Sequence, residues 1–141
     1  MRNHDGFTLV EVLVAVAIIG FALVAIAMGF GIATSGVEAG RQQTTATMLA
    51  EQRVEVLRSR VLANFADPQV AAGTTQEAYG SIPNAASYRR QTIIADVDPD
   101  ADGVVDLKRI QIDVFYRSVV DPNAVPTERQ VSLVNIVSRR Q

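Results

Sequence analysis

The sequence predicts an α+β fold in which a long N-terminal helix carries a small antiparallel β-sheet on its second half. Three observations support this fold class: an apolar run over residues 7–33, apolar residues at helical spacing over residues 50–65, and alternation of apolar and polar residues over residues 105–117. A helix that becomes amphipathic after a membrane-length run has one apolar face on which a sheet can pack.

The four expected segments follow from these patterns. We divide the chain into a cytoplasmic leader (1–6), a transmembrane helix (7–33), an amphipathic helix (34–65) and a globular head with a loop and about three strands (66–141). The leader has one firm positive charge, Arg2, which weakly favours a cytoplasmic location for it. The head is then expected on the far side of the membrane.

The apolar run is long enough to cross a bilayer. From Phe7 to Ala33, the only polar residues apart from glycine are Thr8 and Glu11. A helix of this length measures about 40 Å at roughly 1.5 Å per residue. A secretory signal peptide would have a shorter apolar core, followed by a cleavage site of small residues. The run is therefore interpreted as a transmembrane helix.

Glu11 is the only charged residue in this run. A charged side chain inside a membrane segment costs about 2.5 kcal/mol or more, so it usually marks a contact with an opposite charge. The run contains no lysine or arginine. The partner of Glu11 must therefore come from outside the segment.

Residues 6–11 read Gly-Phe-Thr-Leu-Val-Glu, and this string resembles the prepilin-type signal of type IV pilins and pseudopilins. The resemblance covers about the first 40 residues. It implies that a prepilin peptidase cuts after Gly6 and that the new amine of Phe7 is methylated. It also implies that Glu11 helps to recruit the subunit into a filament, where it can pair with the Phe7 amine of a neighbouring subunit.

The resemblance also implies a location, partners and a function. A pilin-like protein is a single-pass protein of the inner membrane with its head in the periplasm, and it then enters a filament with other pilins or pseudopilins. The resemblance is to PilV-like minor pilins, which suggests a subunit that assists assembly of a type IV pilus. A minor pseudopilin of type II secretion and a membrane-anchored module that binds calcium or another ligand remain the alternatives.

The second half of the helix is predicted from its apolar face. The residues on this face are Ala50, Val54, Leu57, Val61 and Phe65. Glu55 and Arg58 are placed to pair across one turn. Pro68 predicts a helix end near residues 64–67. Glycines at Gly29 and Gly31 suggest either local unwinding or close helix packing.

The head is predicted to contain a loop and three strands. Residues 67–87 are rich in Ala, Gly, Thr, Gln and Pro and are interpreted as an exposed connecting loop. The strand candidates lie over residues 88–97, 105–117 and 129–139. The middle strand has the clearest alternation, whereas the other two have mixed faces and an open register.

A loop rich in aspartate separates the first two strand candidates. Asp98, Asp100, Asp102 and Asp106 have the spacing of an EF-hand-type loop, with a glycine at the sixth place. Arg109 stands where an EF-hand has its bidentate glutamate. These four residues are candidate ligands for calcium, and a solvated turn is the alternative.

Composition argues against several functions. The sequence has no cysteine, and its only histidine is His4 in the leader. The usual zinc ligands and histidine bases are therefore missing from the processed chain, and no enzyme activity is expected. Many major pilins have a disulfide, so its absence favours a minor pilin or a pseudopilin.

The formal net charge of -2 gives no strong nucleic-acid signal. The pairs Arg89-Arg90 and Arg139-Arg140 form either a local basic patch or a solvated strand edge.

Overall fold

The computed structural model describes residues 7–117 and 127–139. Their elements are helix α1 (Leu9–Ala63), a short 3-10 turn (Pro68–Val70) and strands β1 (Gly73–Glu77), β2 (Tyr88–Val97), β3 (Leu107–Arg117) and β4 (Glu128–Ser138). The predicted α+β, pilin-like class is confirmed. The chain divides into two compact units, one up to Glu38 and one from Ala39 onward.

The first unit is the apolar part of α1. Its large side chains are exposed, including Phe21 at 83% and Ile32 at 77%. The helix is long and apolar enough to cross a membrane, and the mean hydropathy of its most apolar stretch is 2.9. Residues 29–31 are helical, so the helix is not unwound at these glycines.

In the second unit, α1 presents the predicted apolar face to the sheet. Ala50, Val54, Leu57 and Val61 are buried, and Phe65 packs at the margin of the core. Ala46 extends this face by one further turn. These side chains form a single core cluster with the strands, which confirms the predicted packing of the sheet on the second half of the helix.

The helix ends where Pro68 predicts. The Asn64 N–H donates to the Arg60 carbonyl at 2.8 Å as the last helical turn closes. Asp67 then caps the 3-10 turn, because its Oδ1 accepts the Gln69 N–H at 2.8 Å. Proline has a backbone angle suited to the first position of such a turn, and it lacks the N–H that a continuing helix would need.

The sheet is an antiparallel meander in the order β1-β2-β3-β4. The alternation predicted for β3 is confirmed, since Ile110, Ile112, Val114 and Tyr116 are all buried against α1. The sequence pattern left the register of β4 undefined. In the structure, Leu133 lies opposite Ile112 of β3 and Val134 lies opposite Gln111.

The prediction of three strands was wrong, because β1 lies in the segment interpreted as a loop. None of its five residues is fully buried, so the strand has no apolar alternation to reveal it. It is an edge strand that exists through its pairing with β2, from Gly73 opposite Ile94 to Glu77 opposite Arg90. The same segment also supplies Ile82 and Ala85 to the core, so it is not wholly an exposed connection.

Candidate functional site

The predicted processing site lies directly before α1. Gly6 is outside the described residues, whereas Phe7 is described and its side chain is 84% exposed. Leu9 is the first helical residue. Phe7 and Thr8 therefore form the short non-helical segment that precedes the helix.

Thr8 and Glu11 form a reciprocal cap at this entry. The Thr8 Oγ1 accepts the Glu11 N–H at 3.3 Å, and the Glu11 Oε2 accepts the Thr8 N–H at 3.5 Å. This arrangement is a capping box, in which two otherwise unpaired N–H groups of a helix start are satisfied. Our sequence reasoning did not assign Thr8 a role, although a threonine followed three residues later by a glutamate is the sequence signature of this cap.

Glu11 keeps part of its acceptor capacity. Its Oε1 accepts no hydrogen bond within the described residues, and none of the ion pairs among those residues involves Glu11. The partial positive charge of a helix N-terminus favours a carboxylate at this position. The side chain can therefore hold the helix start and still receive an external ammonium group.

The aspartate-rich loop brings together three of its four candidate ligands. Carboxylate oxygens of Asp98, Asp100 and Asp102 lie within 4.8 Å of one another. Asp106 is not part of this group, and its carbonyl accepts the Arg139 N–H at 2.8 Å. Arg109 donates to Gln111, and no ion pair between it and the loop occurs among the described residues.

Backbone hydrogen bonds hold this loop in shape. The Asp98 Oδ2 accepts the Gly103 N–H at 2.9 Å, and the Asp102 Oδ1 accepts the Val104 N–H at 2.7 Å. Partial burial acts to raise the pKa of Asp98, but hydrogen bonds from Gly103 and other loop residues outweigh it, so that the pKa is lowered. The Asp98 Oδ1 accepts no hydrogen bond from a described residue.

Arg89 and Arg90 point to opposite faces of the sheet. Arg90 is 8% exposed, forms two hydrogen bonds to Glu77 at 2.7 and 2.8 Å, and donates to the Leu49 carbonyl at 3.1 Å. Arg89 lies 3.7 Å from the centre of the Phe115 ring. Neither a basic patch nor a solvated strand edge therefore describes this pair. Arg140, of the other predicted pair, is outside the described residues.

Arg89 belongs to a network that joins β2, β4 and the loop before β2. Its Nε and Nη2 donate to Glu128 at 2.8 and 2.7 Å, and the Tyr79 hydroxyl donates to the same carboxylate at 2.8 Å. The Arg89 hydrogen bonds, followed by that of Tyr79, lower the pKa of Glu128 to about 2. This cluster stabilises the head, because it links elements that are distant in sequence.

Comparison with protein-family models matched the N-terminus of the chain. Residues 1–27 match the family described as "Prokaryotic N-terminal methylation motif", which is the type IV prepilin signal. No curated protein and no solved structure gave a significant match. The prepilin-type signal predicted from residues 6–11 is confirmed. This motif supports a pilin or pseudopilin that is processed by prepilin peptidase, anchored by its apolar helix and assembled with other pilins.

Proposed function

We propose that this protein is a minor type IV pilin, a structural subunit that assists the assembly or priming of a pilus. The observation that supports this function best is the methylation motif over residues 1–27, which includes the start of the apolar helix with Glu11 in its first turn. Cleavage after Gly6 would create the Phe7 amine. The head would lie in the periplasm before the subunit enters the filament.

The chemistry of Glu11 fits an alignment role in assembly. An ammonium group and a carboxylate attract each other several times more strongly in an apolar interior than in water, but both ions lose hydration. Such a pair is better at defining a register than at adding stability. In the capping box, the Glu11 carboxylate accepts the N–H of Thr8, which is the residue next to the future chain terminus at Phe7.

A minor pseudopilin of type II secretion is the second candidate. The absence of cysteine is compatible with both assemblies, and the N-terminal motif is common to both. The identity of the neighbouring genes and copurification with either pilus or secretion components would distinguish them. The lack of a histidine outside the leader favours a structural role over catalysis in either case.

Calcium binding is a further proposed property of the head. Calcium bonds to oxygen are 2.3–2.6 Å long, so carboxylate oxygens within 4.8 Å of one another suit a shared ion. Asp98, Asp100 and Asp102 would hold it, with carbonyl groups or water completing six to eight ligands. A bound cation would relieve the mutual repulsion of the three carboxylates.

Mass spectrometry of the N-terminus of the protein purified from its host tests the assembly proposal. A chain that begins with N-methyl-Phe7 is expected. An intact Met1 would contradict both the pilin and the pseudopilin assignments, because each requires cleavage after Gly6. An uncleaved chain would instead support the third hypothesis, a membrane-anchored module that binds calcium or another ligand.

Substitution of Glu11 separates its charge from its capping role. We expect Glu11→Ala to insert normally into the membrane, since it removes a costly charge, but to be depleted about ten-fold in sheared filament fractions. Glu11→Gln is the matched variant, because glutamine retains an acceptor for the Thr8 N–H in a capping box. Equal depletion of both variants supports the charge pairing. Normal incorporation of Glu11→Gln would refute it.

A further inference from the structure

A cavity of about 320 Å³ lies in the head between α1 and the loop that precedes β2. Its walls are partly apolar, with Val56 from the helix and Ile82 from the loop. Gln52 and Asn84 add amide groups to the lining, and two arginines, Arg53 and Arg90, complete it. Both charged groups of the lining are therefore cations.

The two arginines differ in their hydrogen bonding. Arg90 uses Nε and Nη2 on the Glu77 carboxylate and Nη1 on the Leu49 carbonyl. The Arg53 side chain donates no hydrogen bond to a described residue, and its Nε is inaccessible to solvent. A ligand in the cavity would therefore meet the terminal Nη groups of Arg53. Of the two arginines, Arg53 is therefore the one whose side chain has no hydrogen-bond partner among the described residues.

The local charge around Arg53 is unbalanced. Glu77 neutralises one of the two guanidinium groups through its short ion pair with Arg90. Burial lowers the pKa of Arg53, and although Glu77 opposes this shift, Arg90 and Arg60 act in the same direction as burial. One positive charge is left over in a chain whose formal net charge is -2.

We propose that this cavity binds a carboxylate, with the Arg53 guanidinium as its main partner. A guanidinium presents parallel N–H donors that match the two oxygens of a carboxylate. The Gln52 and Asn84 amides line the same cavity and can donate further hydrogen bonds, and the apolar walls suit a short aliphatic stem. A monoanion balances the single excess charge, whereas a doubly charged phosphate would overcompensate it.

The carboxylate bound at Arg53 could come from either of two sources. One is a free short-chain carboxylic acid, and the other is a glutamate or aspartate side chain of another protein. Both would place a carboxylate against Arg53. This inference concerns the head alone and does not depend on cleavage after Gly6 or on the identity of the filament.

Calorimetric titration of the full-length protein in detergent micelles at pH 7 tests the proposal. The probes are sodium butyrate, the peptide acetyl-Ala-Glu-Ala-amide and its glutamine counterpart, each at the same ionic strength. We expect saturable binding in roughly the millimolar range for at least one carboxylate. The glutamine peptide should not bind. Tighter binding of the glutamate peptide than of butyrate identifies a protein side chain as the source, and the reverse order identifies a free acid.

Variants of the helix locate the site. Arg53→Gln should weaken binding about ten-fold, which corresponds to about 1.4 kcal/mol, and Arg53→Lys should have an intermediate effect because it keeps the charge but loses the planar donors. Arg58→Gln is the matched control. Arg58 is an exposed arginine on the same helix, and its guanidinium already has a carboxylate partner, Glu55, at 3.7 Å. Unchanged binding by Arg53→Gln, or no carboxylate binding by the wild type, would overturn the proposal.

Chemical protection provides a readout that does not require a variant to fold. Phenylglyoxal modifies accessible arginines, and peptide mass spectrometry identifies the modified residues. Saturating carboxylate is expected to slow modification of Arg53 several-fold while leaving that of Arg58 unchanged. Equal rates at Arg53 with and without the carboxylate would contradict the assignment.

Discussion

The apolar part of α1 and the head use the same kinds of side chain in opposite ways. In the first unit, Ile19 is 59% exposed, whereas Ile110 and Ile112 in the head are fully buried. Contiguous exposed apolar surface of this kind marks a contact with a membrane or another protein. The head instead completes its core with residues of its own chain. The comparison indicates that the first unit needs other molecules to cover its apolar surface.

The two units also differ in whether their carboxylates have a cationic partner. Among the described residues, Glu11 has no cationic partner, while Glu77, Glu128 and Asp96 in the head each contact an arginine or lysine within 2.7 Å. Paired charges within one chain contribute to folding when they are partly buried. A carboxylate without such a partner remains available for an interaction between chains.

Two isoleucine substitutions measure the difference between the units. Ile112→Ala should lower the free energy of unfolding of the head by about 4 kcal/mol, because it leaves a cavity in a fully buried site. Ile19→Ala should change it by less than about 0.5 kcal/mol, since this residue contributes nothing to the core of the head. Denaturant unfolding in detergent, followed by the β-sheet signal, gives both values. Equal effects would show that the core has been misassigned.

The Glu128 network predicts a dependence of head stability on pH. The pKa of Glu128 falls from its ordinary value of 4.5 to about 2 on folding. The corresponding stability is therefore fully present above about pH 4.5 and is lost as the pH falls toward 2. Because the side chain is 39% exposed, solvent screening reduces the contribution to about 1 kcal/mol.

Glu128→Gln tests this dependence. The variant should be less stable than the wild type by about 1 kcal/mol at pH 7, and the difference should vanish near pH 2. Glu55→Gln serves as the control, since its exposed pair with Arg58 at 3.7 Å should contribute only a few tenths of a kcal/mol. A difference between Glu128→Gln and wild type that does not change with pH would contradict the role of the ionised carboxylate.

Calcium binding gives the smallest expected change in stability. At a calcium concentration equal to the dissociation constant, the head should gain about 0.4 kcal/mol. Calorimetry should show heat at millimolar calcium, which Asp100→Asn should reduce. Asp106→Asn is the matched control, because Asp106 is not among the three clustered carboxylates. The absence of heat, or equal losses in the two variants, would refute the site.

Patterns local in sequence were sufficient for most of the fold. Pro68 predicted the helix end, and the alternation of β3 predicted its buried face. The boundaries of β2 agree with the predicted ones, and those of β3 and β4 differ by no more than two residues. Strand β1 was not recognised, because its exposed residues carry no periodic signal and its pairing with β2 is a long-range contact.

The candidate sites also divide into those that the local sequence predicts and those that depend on long-range contacts. Gly6, Phe7 and Glu11 lie within one string of six residues, 6–11, whose chemistry can be interpreted without a fold. The alternation of strand faces separates Arg89 from Arg90, and their partners Glu128 and Glu77 lie on other strands. The cavity at Arg53 gave no sequence signal, because its walls come from segments far apart in the chain.

The order of the amino acids was enough to identify the processing motif, the membrane-length apolar run and the amphipathic face of α1, since each depends on spacing within a few helical turns. The tertiary structure alone decided which charges are paired between strands, that Asp106 lies apart from the other three aspartates, and that the Arg53 side chain is left without an acceptor. Most of these features depend on distances between residues that lie more than ten positions apart in the chain. Such distances are defined only when the strands pair and the sheet packs on the helix.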